Sequence, residues 1–519
     1  MKKILALLLI MMISTCSFAG CSKAKKNDNS DSSIGFDISG GDTSDSSEDI
    51  SSPDGTSDGN SSSGASAGNT AAGNSTASGA STAKPKSDPL KANLGGQTIE
   101  IVTFNTNGIF NTTKNLSSYQ NACAERLSTL QSKLNCKIKI TVKTVDEIAE
   151  MTYTTIASGS KFADIIEVPI YGVSAYLGSK SAVPLQSVTT LDLTQSYLNA
   201  GDAVNSSKFY NKSYFITCQD MIADSGMGFF FNKRLLNECK LENPYTLVNN
   251  NQWTISKLRS MAKAATKDID GKAGMSQNDQ WGILQTSYTA DASAAVLAAS
   301  NAELIKPDGK GGAAFNTDSK EVLNAISLCT NIFVNDGDCY AATDGDKDLW
   351  NMFITGKGLF LGAGVSVAKK IMDMDDDYGF VPFPKADSAS SMRIGTNWNS
   401  SVLMVPVNPK AKNYDNVGYF LQAFCKLSEN TLKTMYTEYS NRYFRDDESL
   451  EMMKKMVTSQ KITTSSILGS TNDWGIHEGT YKILYNCVPG KVSAISEIEK
   501  YKPFSVSNLA DLMYKLKDN

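Results

Sequence analysis

Histidine is almost missing: His477 is the only one in 519 residues. A Ser/His/Asp or Cys/His nucleophile would have to be built on it, and no serine or cysteine beside it carries an orienting motif. Beside Glu478 it reads as an exposed surface residue. Excess charge is missing too, since 50 Lys and Arg face 54 Asp and Glu for a net charge of −4. No basic field exists to hold nucleic acid. Ten cysteines include no CxxC pair, and a chain this long does not need staples. Beyond Ile13 no apolar run approaches the roughly 20 residues of a membrane-spanning helix.

The N-terminus carries an address instead. Lys2 and Lys3 precede an apolar run from Ile4 to Ile13, and Phe18-Ala19-Gly20 lead into Cys21. An apolar core of that length with small residues behind it reads as a signal peptide over residues 1–20, cleaved before Cys21. The pattern resembles a bacterial lipobox, which implies a Cys21 thiol thioether-linked to diacylglycerol and a protein lipid-anchored on the extracellular face of a cell membrane, of Gram-positive type. An ordinary secretory signal is the alternative. Ser22 to about Asp88 is Ser, Gly, Asp, Asn, Thr and Ala with almost nothing to bury, so residues 21–92 read as a tether, with a span of about 45 Å.

Residues 93–519 exceed what one hydrophobic core serves, so two lobes are expected. Thr98 to Phe104 reads as a strand, Tyr119 to Leu134 as a helix and Lys137 to Val145 as an alternating strand that can lie parallel to the first. A helical stretch from Met151 to Ser158 and a buried strand from Ala163 to Val168 follow. Such alternation gives an open α/β sheet with helices on both faces, where ligands bind beyond the carboxyl ends of the strands. Cys123, Cys136, Cys218, Cys239, Cys329, Cys339, Cys425 and Cys487 remain after processing, several on apolar helix faces as buried thiols.

The order of several motifs then resembles the extracellular solute-binding proteins of ATP-driven sugar importers, the maltose-binding-protein type. These are Ala157-Ser158-Gly159 running into Asp164-Ile165-Ile166, Phe229 to Leu236, Trp253-Thr254, Asp279 to Ile283, Phe353 to Gly358, and Gly379 to Lys385. The resemblance implies a type II periplasmic-binding-protein-like fold: two α/β lobes with a ligand cleft between them, joined by hinge crossings near Ile222 to Ser225, Val381 to Lys385 and Met435 to Ser440. Lobe one is expected at residues 93–223 plus 385–435, and lobe two at residues 224–384 plus 436–519. The implied partners are a sugar or oligosaccharide and the transmembrane subunits of an ABC permease, with the protein a monomer and the membrane reached through the lipid alone. Several motif residues also have local uses: Thr254, Asp318 and Asp446 or Asp447 can cap helices, and Asn232 and Lys233 suit helix-end hydrogen bonding.

A neutral sugar needs flat aromatic faces for its C–H side and carboxylates or amides for its hydroxyls. Glu167 and Tyr171 follow the third strand, Asp224 lies at the first crossing, and Tyr288 and Asp291 fall in a loop beyond Trp281. Trp398 and Trp474 sit among polar residues without core periodicity, whereas Trp253, Trp281 and Trp350 read as packing. These seven, Glu167, Tyr171, Asp224, Tyr288, Asp291, Trp398 and Trp474, are the candidate ligand contacts. Asp344, Asp346 and Asp348 have the first spacings of a calcium loop, but Leu349 stands where glycine is required. No metal, cofactor or catalytic residue is expected. A secreted glycosidase, or a receptor feeding a sensor system, are the alternative functions.

Overall fold

Alternation along the chain becomes register in the computed structural model, which describes residues 88–105, 108–113, 116–342, 347–397, 399–469 and 475–518. Cys21, the signal segment, most of the tether, Trp398 and Trp474 lie outside these residues. The strands are β1 (Thr98–Thr103), β2 (Lys137–Val142), β3 (Ile165–Pro169), β4 (Phe215–Ile216), β5 (Met227–Asn232), β6 (Trp281–Gln285) and β7 (Ile305–Pro307). They continue as β8 (Ala313–Phe315), β9 (Cys339–Ala341), β10 (Gly358–Gly364), β11 (Tyr378–Pro382), β12 (Ile394–Gly395), β13 (Ser401–Met404) and β14 (Gln460–Lys461).

One five-stranded sheet has the order β2-β1-β3-β13-β4. β1 runs parallel to β2 and β3, while β13 pairs antiparallel with β3 and β4. Its side chains separate with the period of two that a pleated strand imposes. Ile99, Ile101, Ile165 and Leu403 pack on one face with Leu127, Leu130, Phe420 and Phe424. Val102, Ile166, Val168 and Met404 pack on the other with Tyr176, Ile467 and Leu512. The second sheet has the order β11-β5-β10-β6-β9, with β5 antiparallel to both of its neighbours. Phe229, Phe230 and Phe231 are all buried there because helices cover both faces. Gly282 lets the Ile255–Ala265 helix lie directly on β6, since a Cβ would sit 2.2 Å from the Ala262 carbonyl oxygen.

The chain passes repeatedly between the two sheets. It leaves β4 for β5 through residues 217–226 and returns from β11 to β13 through residues 383–400. It crosses again as helix Asp415–Lys426, packed on the first sheet, gives way to helix Ser428–Glu438, whose Leu432 and Met435 join the second core. Ile462, Ile467 and Leu468 then pack on the first sheet. The final helix, Ala494–Lys517, places Ile498 in the second core and Leu509, Leu512 and Leu516 against the first.

Local signals mostly keep their expected tasks. The helix nearest Met151 begins earlier, at Val145, where Thr144 and Glu147 form a reciprocal capping box. Thr254 caps Ile255–Ala265, and Asp446 caps Asp447–Ser459. Asn232 caps helix Lys233–Glu238, and Lys233 pairs with Asp446 at 2.5 Å. The cap on Lys320–Thr330 is Ser319, because Asp318 turns outward to pair with Lys502. His477 is half-buried rather than exposed, stands 6.4 Å from the Tyr485 ring, and is held by burial below its ordinary pKa. Trp253 is buried and donates its indole N–H to the Pro382 carbonyl at 2.8 Å. All eight described cysteines are free thiols.

Candidate functional site

A cavity of about 340 Å³ opens where the ends of the first sheet's strands meet the crossing segments and one element of the second sheet's half. Asn105 and Gly108 enter from beyond β1, Glu167 from β3 and Ser401 from β13. This is the carboxyl-end position at which open α/β sheets bind ligands. Ser117, Tyr119 and Gln120 come from the N-terminus of helix Ser118–Leu134, where Ser117 and Gln120 cap each other. Asp220, Met221 and Asp224 come from the first crossing, Glu438 and Tyr443 from the third, and Lys369 from the second sheet's side.

Several wall residues are held by other elements. Thr103 donates its hydroxyl to Glu167 Oε2 at 2.5 Å, tying β1 to β3 beneath the cavity floor. Burial pushes the Glu167 carboxyl above its ordinary range, against the opposing pull of Ser401 and Thr103. Glu438 accepts from the Tyr119 backbone N–H at 2.7 Å and from the Tyr443 hydroxyl at 2.9 Å. One carboxylate therefore joins the first helix to the third crossing and sets Tyr119 and Tyr443 in the cavity wall.

Asp220 is the most constrained of the acids. Its Oδ2 accepts from Arg126 Nη1 at 2.8 Å and Thr431 Oγ1 at 2.6 Å, and its Oδ1 has no hydrogen-bond partner among the described residues. Both side chains of the Arg126–Asp220 pair are withdrawn from solvent, at 1% and 0% exposure, and the guanidinium lies 3.9 Å over the Phe424 ring. Burial alone would weaken the Arg126 proton, but the Asp220 carboxylate overrides it and the guanidinium pKa rises. Asp224 is looser, with Oδ2 3.8 Å from Lys369 Nζ, and that ammonium also lies 5.5 Å from the Tyr439 ring centre.

Of the residues singled out from sequence, Glu167 and Asp224 line this cavity. Tyr171 is half-buried in the turn Ile170–Gly172 directly after β3 and is not among the lining residues. Tyr288 and Asp291 lie in the turn Tyr288–Ala292, where the Tyr288 ring stands 6.0 Å from Phe333, and neither lines the cavity. Sequence reasoning missed Tyr119, Glu438, Tyr443 and Lys369. The Ser117-x-x-Gln120 capping pattern, one connection beyond β1, was the signal that could have directed attention to Tyr119.

Two open α/β sheets, a chain that crosses between them several times and a polar cavity at the crossings define the two-lobed type II binding-protein fold. The chain belongs to the family described as Bacterial extracellular solute-binding protein, whose match covers residues 111–416. Its fold is shared by a cyclic α-maltosyl-1,6-maltose binding protein from Arthrobacter globiformis, at 12% identity and a TM-score of 0.55, over 82% of this chain and 100% of that one. It is shared also by a sugar transporter from Rhizobium etli in an open conformation, at 14% identity and 0.53, over 81% and 99%. A third is an ABC substrate-binding protein from Listeria monocytogenes in complex with cycloalternan, at 15% identity and 0.52, over 81% and 99%. No curated protein matches the chain. Among the described residues no helix is long and apolar enough to cross a membrane.

Proposed function

We propose that this solute-binding protein captures a sugar or oligosaccharide outside the membrane, closes its two lobes on it and presents the closed form, chemically unchanged, to an ABC permease. The supporting observation is the composition of the cavity wall. Tyr119 and Tyr443 supply aromatic surface for the C–H side of a sugar ring, while Asp224, Asn105 and Gln120 supply hydroxyl partners. The Listeria neighbour carries a cyclic oligosaccharide and the Arthrobacter neighbour is named for one, which favours the same ligand class here. A hinge of several crossings lets the lobes bend without separating, with lobe boundaries near residues 223, 385 and 435. Cys21 carries the lipid, residues 22–92 tether the receptor to the extracellular face, and the protein works as a monomer.

The energetics are sufficient. A micromolar dissociation constant corresponds to about 8 kcal/mol, and driving an open–closed equilibrium from 1:99 to 99:1 takes about 5.5 kcal/mol of differential binding. Most of the affinity then resides in contacts made only on closure. A thermal-shift screen of the mature chain against diverse saccharides, with chromatography of the recovered sugar, tests this. A ligand at a hundred times its dissociation constant adds about 2.7 kcal/mol to apparent stability. The expected result is a stabilising saccharide recovered intact. Cleaved product, or no stabilising saccharide in a broad panel, would overturn the proposal.

A further inference from the structure

We infer that the hairpin β7–β8 is a strap by which the second sheet's half clasps the first, and that its release is part of the swing between the halves; this rests on the two-lobe closure proposed above. The chain on either side of the hairpin belongs to the second core. Helix Ser293–Ala299 buries Val296 and Leu297 there, and helix Lys320–Thr330 buries Val322, Ile326 and Cys329. The hairpin between them does not. Ile305 and Ala313 are buried with Val102, Ile166 and Leu512, on a face of the first sheet. The chain thus leaves its own half, docks on the other and returns.

The clasp is polar as well as apolar. Ile305 donates its N–H to Ser465 Oγ at 3.0 Å, and the same hydroxyl donates to the Ile305 carbonyl at 3.0 Å. Ser465 lies in helix Thr464–Leu468, whose Ile467 and Leu468 share that core. At the tip, Tyr210 donates its N–H to the Gly311 carbonyl at 2.7 Å, and Ala313 donates to Met513 Sδ at 3.2 Å. Gly311 has φ +95°, and a Cβ there would stand 3.3 Å from Tyr210 Cα, so glycine is what lets the tip lie on Tyr210. The stem is braced in turn. Asn316 donates its N–H to the Leu304 carbonyl at 2.8 Å, and Arg393 of the second crossing pairs with Glu303 at 2.5 Å. Bending at that crossing is therefore passed to the stem and from it to the clasp.

Amide hydrogen exchange on the full chain tests this without any saccharide, so failure of the strap and failure of capture are separate results. The remote reporters are the Tyr119 amide, held by Glu438 on the third crossing, and the Thr396 amide, held by the Lys461 carbonyl between the second crossing and β14. Ser465→Ala and Gly311→Val each loosen the clasp, and neither residue lines the cavity. Both variants, with folds checked by circular dichroism, are expected to exchange about tenfold faster at Tyr119 and Thr396, while amides inside the second sheet such as Phe230 keep their rates. On the unmutated chain, low denaturant should open Ile305, Tyr119 and Thr396 as one cooperative unit, and this decides the matter if the variants misfold. Acceleration confined to the hairpin and its stem, or separate openings in the unmutated chain, overturns the strap and leaves saccharide capture standing.

Discussion

Replacing Arg126 by Met leaves Asp220 as an uncompensated charge in the interior, and the size of the effect follows from the surroundings. The pair is 2.8 Å apart with both side chains essentially out of water. Removing one member of such a pair costs about 3–5 kcal/mol, because the survivor keeps its desolvation penalty without its partner. The lost stacking on Phe424 at 3.9 Å lies within that range. The unfolding equilibrium should move by a factor of roughly a hundred to several thousand. Urea unfolding followed by far-ultraviolet circular dichroism reads this as a lower midpoint with an unchanged slope. The double variant Arg126→Met with Asp220→Asn buries no charge and leaves Thr431 an acceptor, so it should regain most of the loss. Its stability should therefore lie above the sum of the single effects. A single-variant cost below about 1 kcal/mol, or strict additivity in the double variant, would refute the claim that this pair is a closed, water-free lock beside the cavity.

Three further outcomes follow from individual carboxylates. Glu167 has a folded pKa raised mainly by burial, so the folded state holds its proton where the unfolded state has released it. Stability is lost as pH rises from the unfolded value of about 4.5 through the higher folded one. Glu167→Gln should accordingly gain in melting temperature relative to the unmutated chain between pH 4 and pH 7, and an advantage that shrinks would count against it. Asp279 is depressed from 3.8 to about 2, first by the Ile269 backbone N–H and further by those of Ser276 and Asp270. Its contribution is present above pH 3.8 and lost as pH falls toward 2, so Asp279→Asn should flatten the acid limb of a stability–pH curve in that window. Asp446→Ala removes the cap on Asp447–Ser459 and the acceptor for the Tyr245 hydroxyl, and should cost about 2–4 kcal/mol by denaturant unfolding.

Much of the fold was readable because it depends on short-range periodicity. Ile99, Ile101 and Val102 alternate between two cores as their spacing required, and Phe229 to Phe231 form a continuous apolar run because β5 is covered on both faces. Adjacent cap-competent residues were not separable: Asp318 and Ser319 can each satisfy a helix start, and a remote lysine, Lys502, decides between them. The same limit governs the cavity. Glu167 and Asp224 stood out because a strand end and a crossing are local features. Tyr119 and Glu438 meet across 319 residues of sequence, so nothing near either announces the bond between them. The final helix carries one apolar pattern yet divides it between two cores, Ile498 in one and Leu512 in the other. Periodicity shows that a face is buried and does not say against what.

Calorimetric titration of the mature chain with its strongest stabilising saccharide, repeated on Tyr443→Ala, bears most directly on capture between the lobes. One site per chain is expected, with affinity weakened by about tenfold or more in Tyr443→Ala; because this ring is also packed in the second core, the variant's melting temperature falls and its fold is checked by circular dichroism before titration. Unchanged affinity in a folded Tyr443→Ala variant would place the sugar somewhere other than the cavity at the crossings.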